Sequence, residues 1–238
     1  MRSASGSSET GTPGSAKRCA PGTACAAGTC RSRSSRPISS IRRGSGSVAE
    51  FALAPRSPLG GYAETFGSVT LAEVTGLALV SAAVPNGGDD AFAAALAEGL
   101  GAARPVTGDS VAGDRYGARL LGMQPDQLFI LFEAPDPDRA AETVADALGP
   151  DSYVTDQSDS WAMLRIAGTG VRAALERICM LDLDDAAFPE GRVARTVMEH
   201  LAVIILRDGA DSFLLMSPRS SARSFLHAVE VSIRNVTV

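Results

Sequence analysis

The stretch VARTVMEHLAVIILRDGADSFLLMSPRSSARSFLHAVEVSI, residues 193–233, contains the clearest indications of the fold class. It contains three runs rich in Val, Ile, Leu and Met, which predict buried strands. The runs lie near Val193 to Met198, Leu201 to Leu206 and Phe213 to Met216. From Ser220 to Ile233 the apolar residues recur at helical spacing instead, which predicts an amphipathic helix. Its apolar stripe consists of Ala222, Phe225, Leu226, Val229 and Ile233.

A strand and a helix precede this stretch. The segment Trp161 to Ile166 predicts the strand, and Gly168 introduces the helix. One face of that helix is apolar and carries Val171, Ala174, Leu175, Ile178 and Cys179. A loop, Asp182 to Pro189, leads on to the three strands. The second half of the chain is therefore predicted to have the order β-α-β-β-β-α.

The first half follows a related pattern. Val74 to Val84 predicts a buried strand that ends at the turn Pro85-Asn86-Gly87-Gly88. Asp89 or Asp90 can cap the next helix, because either side chain can accept a hydrogen bond from the first turn. The apolar positions of that helix are Phe92, Ala95, Leu96 and Leu100, and two strands are predicted after it, near Tyr116 to Leu121 and Gln127 to Phe132.

A second helix and a closing strand complete this half. Asp136 and Pro137 supply an N-cap and a first-turn proline for a helix through Leu148, which Gly149-Pro150 ends. Tyr153 to Asp156 predicts the closing strand, so the order is β-α-β-β-α-β. Two ferredoxin-like-related halves side by side predict an α+β fold in which helices cover one face of largely antiparallel sheets.

Residues 1–47 differ in composition from residues 48–238, which we predict to form the folded domain. The first 47 residues are rich in Ser, Gly, Arg, Pro and Ala and contain almost no large apolar side chain. They cannot bury enough surface to offset the entropy of ordering, so we predict a disordered, basic, low-complexity tail. A start codon assigned too far upstream, with translation beginning near Val48, is the alternative. Neither a signal peptide nor a transit peptide is favoured.

Charge and cysteine usage restrict the classes of function. Basic side chains outnumber acidic ones in the tail, whereas acidic side chains outnumber basic ones beyond residue 47. We therefore expect the folded part to repel nucleic acid. No apolar stretch is long enough to span a membrane. Cys19, Cys25 and Cys30 match neither paired zinc knuckles nor an even-numbered disulfide framework, and Cys179 is alone, so we expect a reducing cytoplasmic location.

Gly168-Thr169-Gly170-Val171-Arg172-Ala173 matches the G-x-G-x-x-A fingerprint of dinucleotide-binding proteins. The fingerprint works only in a parallel βαβ unit with an acidic residue about 20 positions further on. Glu190 has that spacing but lies in a Phe-Pro-Glu-Gly loop. A glycine-rich corner between a strand and a helix is the favoured interpretation, and a nucleotide-binding module stays as an alternative.

The two histidines and an acidic loop are further candidate groups. His200 and His227 are the only histidines, too few for a histidine-based metal site, and we expect structural or interface roles. Asp182, Asp184 and Asp185, with Glu190, could serve acid-base chemistry or a divalent cation. Because Leu181 and Leu183 alternate with these acids, a structural loop is favoured.

Arginine side chains remain as candidates for contact with a partner. Arg219 and Arg223 lie four residues apart and are predicted to share a helical face, with Ser220 as a cap. Guanidinium groups suit carboxylates at protein interfaces, and a solvated surface is the alternative. We therefore predict a partner interface that includes Arg195, His200, Arg219 and Arg223, and no catalytic, cofactor-binding or metal site in this chain.

The segment DQSDSWAMLR, residues 156–165, resembles the central signature of the gamma subunits of heterotetrameric sarcosine oxidases. Further matches keep the order of that family, although Ser160, Met180, Ser221 and Leu226 depart from its usual residues. These matches are Cys179 with Leu181-Asp182-Leu183, Phe188-Pro189, Arg195-Thr196, His200 and Arg219 to Phe225. The resemblance covers about a third of the chain, from Val154 to about His227.

The resemblance implies a fold similar to the folate-binding domain of aminomethyltransferases, in a subunit without a cofactor of its own. In such complexes the alpha subunit binds NAD and folate, the beta subunit carries FAD and FMN, and the delta subunit binds zinc. The assembly oxidises sarcosine to glycine, forms hydrogen peroxide and transfers the one-carbon unit to tetrahydrofolate. This chain would be a non-catalytic scaffold, and a stand-alone folate-dependent aminomethyltransferase is the enzyme alternative.

Overall fold

A computed structural model describes residues 56–237, and every structural statement below concerns that range. The predicted tail and its three cysteines lie outside it. Among the described residues no helix is both long and apolar enough to cross a lipid bilayer. The helices are α1 (Asp89–Leu100), α2 (Ala140–Leu148), α3 (Val171–Glu176) and α4 (Ala222–Arg234).

The strands form two sheets. In chain order they are β1 (Ala63–Phe66), β2 (Val69–Glu73), β3 (Ala78–Ala83), β4 (Ser110–Ala112), β5 (Arg119–Gln124), β6 (Gln127–Phe132), β7 (Tyr153–Asp156), β8 (Trp161–Gly168), β9 (Val193–Met198), β10 (Leu201–Gly209) and β11 (Ser212–Pro218). A large sheet has the order β1-β2-β8-β11-β10-β9, and a small sheet has the order β4-β5-β6-β3-β7. All pairings between these strands are antiparallel. The predicted α+β class is confirmed.

The two sheets pack face to face and each carries helices on its outer face. Alternate residues of β10 and β11 point to opposite sides: Ile205 and Leu215 pack with α3 and α4, whereas Ile204 and Leu214 pack with the small sheet. The four layers are therefore helices, large sheet, small sheet and helices. Strands in both sheets are buried on both faces. Their sequences are therefore continuous apolar runs and do not alternate between apolar and polar residues.

The outer face of the small sheet is covered by α1 and α2. Phe92 and Leu96 of α1, and Val144 and Leu148 of α2, are buried there against residues of β3, β5 and β6. These are the positions that helical spacing predicts for an apolar stripe, so the first pair of helices was recognisable from the sequence.

The structure corrects several predicted boundaries. The first predicted strand is shorter, since β3 begins at Ala78. The strand predicted from Tyr116 begins at Arg119, because Tyr116 and Gly117 have positive φ angles of 57° and 58° and form a turn. Helix α3 ends at Glu176, although Cys179 still packs in the same core. Strands β1, β2 and β4 were not predicted.

The predicted helix caps are confirmed at one of three places. Asp136 accepts a hydrogen bond from the N–H of Asp138 at 3.1 Å, and so caps the 3-10 turn Pro137–Arg139, which runs directly into α2. At α1 the cap position is Gly88, and neither predicted aspartate caps the helix. At α4 the cap position is Ser221 with no side-chain hydrogen bond, because Ser220 lies in the short 3-10 turn Arg219–Ser221.

Candidate functional site

The G-x-G-x-x-A motif lies where β8 meets α3 and serves a structural purpose. Gly168 has a φ of 122°, and a Cβ there would lie 1.9 Å from the carbonyl oxygen of Ser68 in the loop before β2. The chain needs glycine to let these two backbones approach. Both neighbours of β8 are antiparallel to it, so the parallel unit required by the dinucleotide fingerprint is not formed.

The acidic loop after α3 is held by hydrogen bonds within the chain. Leu183 is buried while the three aspartates are exposed, as the alternating pattern predicts. Asp182 accepts from the N–H of Asp184 at 3.0 Å, and Asp184 accepts from the N–H of Ala186 at 3.0 Å. Asp185 pairs with two arginines, Arg172 and Arg207. Within residues 56–237, no cluster of three or more His, Cys, Asp or Glu side chains is arranged to hold a metal ion.

Arg207 is the centre of this region and was not identified from the sequence. It is only 5% exposed and donates to three backbone carbonyls. The acceptors are Phe188 at 2.9 Å, Gly209 at 3.3 Å and Ala210 at 2.6 Å. The signal available in the sequence was a charged residue directly after the apolar run Leu201 to Leu206. A charge at the end of a buried strand needs partners, and here those partners are the carbonyls and Asp185.

The ion pairs of Asp185 should make the stability of the fold depend on pH. Hydrogen bonds from Arg172 and then Arg207 hold the pKa of this carboxyl below its usual value. The native state therefore binds the proton less readily than the unfolded chain, and the resulting stability is present above about pH 4 and is lost as the pH falls through the lowered native pKa. Asp185→Asn should be less stable than wild type at neutral pH, and the gap should narrow at about pH 3. Urea unfolding at both pH values measures this, and an unchanged gap would contradict it.

Both histidines line one groove, which the sequence did not indicate. The groove has a volume of about 430 Å³ and runs between α4 and the turn that joins β9 to β10. Ile178, Leu201 and Val231 contribute apolar walls to it. The turn holds Glu199 with a positive φ of 54°, a conformation that favours glycine. The structure thus brings His200 of the turn and His227 of α4 to the same surface.

The three arginines of the predicted interface have different surroundings. Arg219 pairs with Asp159 at 3.4 Å and donates to the carbonyl oxygen of Arg56. Arg223 is exposed on α4, and Arg195 is exposed on β9. The predicted common face of Arg219 and Arg223 is interrupted, because Arg219 lies in the 3-10 turn before α4 begins at Ala222.

Arg195 lies at a cleft between the edges of the two sheets. This cleft, the edge cleft, has a volume of about 520 Å³ and an apolar floor that includes Met123, Phe188 and Val193. The guanidinium carbon of Arg195 lies 5.3 Å from the centre of the Phe129 ring of the small sheet. Such a contact holds the side chain at the mouth of the cleft.

Cys179 is the one cysteine among the described residues, and it is buried at 8% exposure. Burial raises the pKa of its thiol, although Leu181 and Thr196 contacts oppose that effect. A buried neutral thiol is a poor nucleophile, so the side chain is best explained as part of the core.

Residues 85–232 match the model of the sarcosine oxidase gamma subunit family. The sarcosine oxidase subunit gamma of Corynebacterium sp. (strain P-1) is 33% identical over 159 residues, which are 66% of this chain and 75% of that protein.

Two solved structures align with the fold. A chain of the heterotetrameric sarcosine oxidase from Corynebacterium sp. U-96, in complex with pyrrole 2-carboxylate, aligns with a TM-score of 0.65 and 24% identity, over 77% of this chain and 97% of that chain. The glycine cleavage system aminomethyltransferase T from Bartonella henselae aligns with a TM-score of 0.48 and 14% identity, over 71% of this chain and 50% of that chain.

Proposed function

The chain belongs to the sarcosine oxidase gamma subunit family, and we propose that it is a non-catalytic structural subunit of a heterotetrameric sarcosine oxidase. The family match over residues 85–232 is the observation that carries this proposal. The complex would oxidise sarcosine to glycine with formation of hydrogen peroxide and 5,10-methylenetetrahydrofolate. The chain would act there through its surface, in the cytoplasm.

The contacts of the candidate chemical groups support a structural role. Gly168 is accounted for by the close approach of Ser68, and Asp185 by its two arginines. Cys179 is accounted for by burial in the core. These three groups therefore have structural explanations, which favours a scaffold over an independent enzyme.

The partners in this proposal are the alpha, beta and delta subunits. NAD, FAD, FMN, tetrahydrofolate and zinc would then be bound by those subunits and not by this chain. Arg195, His200, Arg219 and Arg223 remain proposed contact residues. Since they lie in separate surroundings, they would serve more than one contact.

Co-purification from the native host tests the proposal. Tagged full-length chain is expected to bring down two large subunits and one small subunit, identified by mass spectrometry. The preparation should show flavin absorbance and should release hydrogen peroxide from sarcosine. The same chain purified alone is the control, and it should lack flavin absorbance.

The alternatives give different results in the same experiment. A stand-alone aminomethyltransferase would emerge without partners and bind tetrahydrofolate in saturable fashion. A nucleotide-binding module would bind NAD or FAD as the isolated chain. Either outcome would contradict the scaffold assignment.

A further inference from the structure

We propose that the edge cleft is a docking site for an extended, acidic segment of another subunit, which adds to the large sheet beside β9 and places a carboxylate against Arg195. This inference deepens the proposed function and rests on it. Three observations carry it: an open stretch of sheet edge, a guanidinium without a carboxylate partner, and exposed apolar side chains around the cleft.

The open edge is at Arg195. Strand β9 is the last strand of the large sheet, and in an antiparallel sheet successive residues direct their backbone groups alternately to the two sides. Val193 donates its N–H outward to the carbonyl of Gly108 at 2.9 Å, and beyond the strand Glu199 donates outward to Ile178 at 3.1 Å. Arg195 is two residues from Val193 and four from Glu199, so its N–H and C=O also face outward. No described residue forms a hydrogen bond with them there.

The two ends of β9 are therefore covered while its middle is open. Asp109 forms a bridge with Arg192 at one end, and Cys179 forms a bridge with Met198 at the other. An exposed edge between two covered ends is a short slot with unpaired backbone groups. Such a slot fits an extended peptide segment, which binds by main-chain hydrogen bonds and by alternate side chains.

The unpaired cation Arg195 favours an acidic segment, because the one carboxylate in the lining of the cleft, Asp182, accepts a hydrogen bond from the N–H of Asp184 and forms no ion pair with Arg195. No carboxylate pairs with Arg195 among residues 56–237, whereas the neighbouring Arg192 is already paired with Asp109. The cation–π contact with Phe129 restrains the guanidinium, so less side-chain freedom would be lost on pairing. A planar guanidinium fixed in this way favours a bidentate carboxylate.

Apolar side chains around the cleft indicate a protein partner. Val106, Met180 and Val197 are 68%, 81% and 39% exposed. Val106 and Met180 directly adjoin residues that line the cleft, and Val197 is on the same face of β9 as Arg195. Methionine and arginine are enriched at protein interfaces, and clustered exposed apolar residues mark such surfaces.

Charge reversal in the full-length chain tests the site. Arg195→Glu is expected to reduce capture of the other subunits from the native host about tenfold, because it replaces attraction by repulsion. Arg195→Lys keeps the charge and should retain most of the capture. Arg115→Glu is the matched control: it changes an exposed arginine without an ion pair among the described residues, beside α1 and α2 and away from both the edge cleft and the histidine groove. Equal thermal midpoints for all variants exclude unfolding as the cause.

Hydrogen exchange tests the added strand directly. Peptides that include Arg195 and Val197 should exchange at least about tenfold more slowly in the assembled complex than in the isolated chain. Capture by Arg195→Glu at the wild-type level, or unchanged exchange in this segment, would overturn the inference and leave the proposed function intact. A wild-type chain that captures no subunit would overturn both.

Discussion

Replacing Arg207 by methionine is expected to lower the free energy of unfolding by about 3 kcal/mol. Methionine keeps most of the buried aliphatic volume but donates no hydrogen bonds. The carbonyls of Phe188 and Gly209 would then lose the hydrogen bond from Arg207, Ala210 would keep only a 3.5 Å contact with Arg172, and Asp185 would lose one of two cations. The contact with Phe188 is buried, and a buried carbonyl left unpaired retains its desolvation cost, so the loss should exceed that of an ordinary surface substitution. Urea unfolding monitored by circular dichroism measures it.

The matched control is Arg172→Ala, which removes the other cation beside Asp185. Arg172 donates a hydrogen bond to the exposed Asp185 and makes only a marginal 3.5 Å contact with the carbonyl of Ala210. Its loss should cost much less stability than the loss of Arg207, as for exposed ion pairs. If both variants lost the same stability, the carbonyl contacts of Arg207 would not be the source of the effect.

The sequence predicted the helices and most strands because their residues are buried in regular patterns. The runs in β10 and β11 are apolar on both faces, which identifies them as strands of a deeply buried sheet. The sequence did not reveal that the second buried face of these strands packs on another sheet. That information depends on contacts such as Leu79 with residues of the large sheet, far away in the chain.

Strand β1 was missed for a local reason. Its sequence AETF is mostly exposed, so it carries no apolar run and no clear alternation. It is a strand because it pairs with β2, which in turn pairs with β8 about a hundred residues later. Pairing at that distance is set by the tertiary structure and not by propensity.

The candidate site was predictable in part. Arginine chemistry pointed to Arg195 as a contact residue, because a guanidinium suits a carboxylate of a partner. That Arg195 faces an open sheet edge follows only from the strand order and from the outward bonds of Val193 and Glu199. The shared groove of His200 and His227 likewise depends on the packing of α4 beside the turn after β9.

Gly168→Ala is the second substitution with a large expected effect, about 3 kcal/mol of lost stability. Two costs combine. A φ of 122° is strained for any residue with a Cβ, and the new methyl group would lie 1.9 Å from the carbonyl oxygen of Ser68. A backbone atom cannot move aside as a flexible side chain can. The pairing of Val69 with Gly168, at one end of the contact between β2 and β8, would have to open.

Gly170→Ala separates these two costs within the same motif. Gly170 also has a positive φ, 93°, but the nearest atom to its added methyl group is the Val69 side chain at 3.9 Å. Only conformational strain remains, so the expected loss is about 1 to 2 kcal/mol. A dinucleotide-binding loop would make the opposite demand, because its second glycine admits the pyrophosphate. Stability measurements on both variants, with an NAD titration of the wild type, therefore distinguish the two explanations. A larger loss of stability for Gly168→Ala and no saturable NAD binding would support a structural role for the glycines. Equal losses of stability together with NAD binding would contradict it.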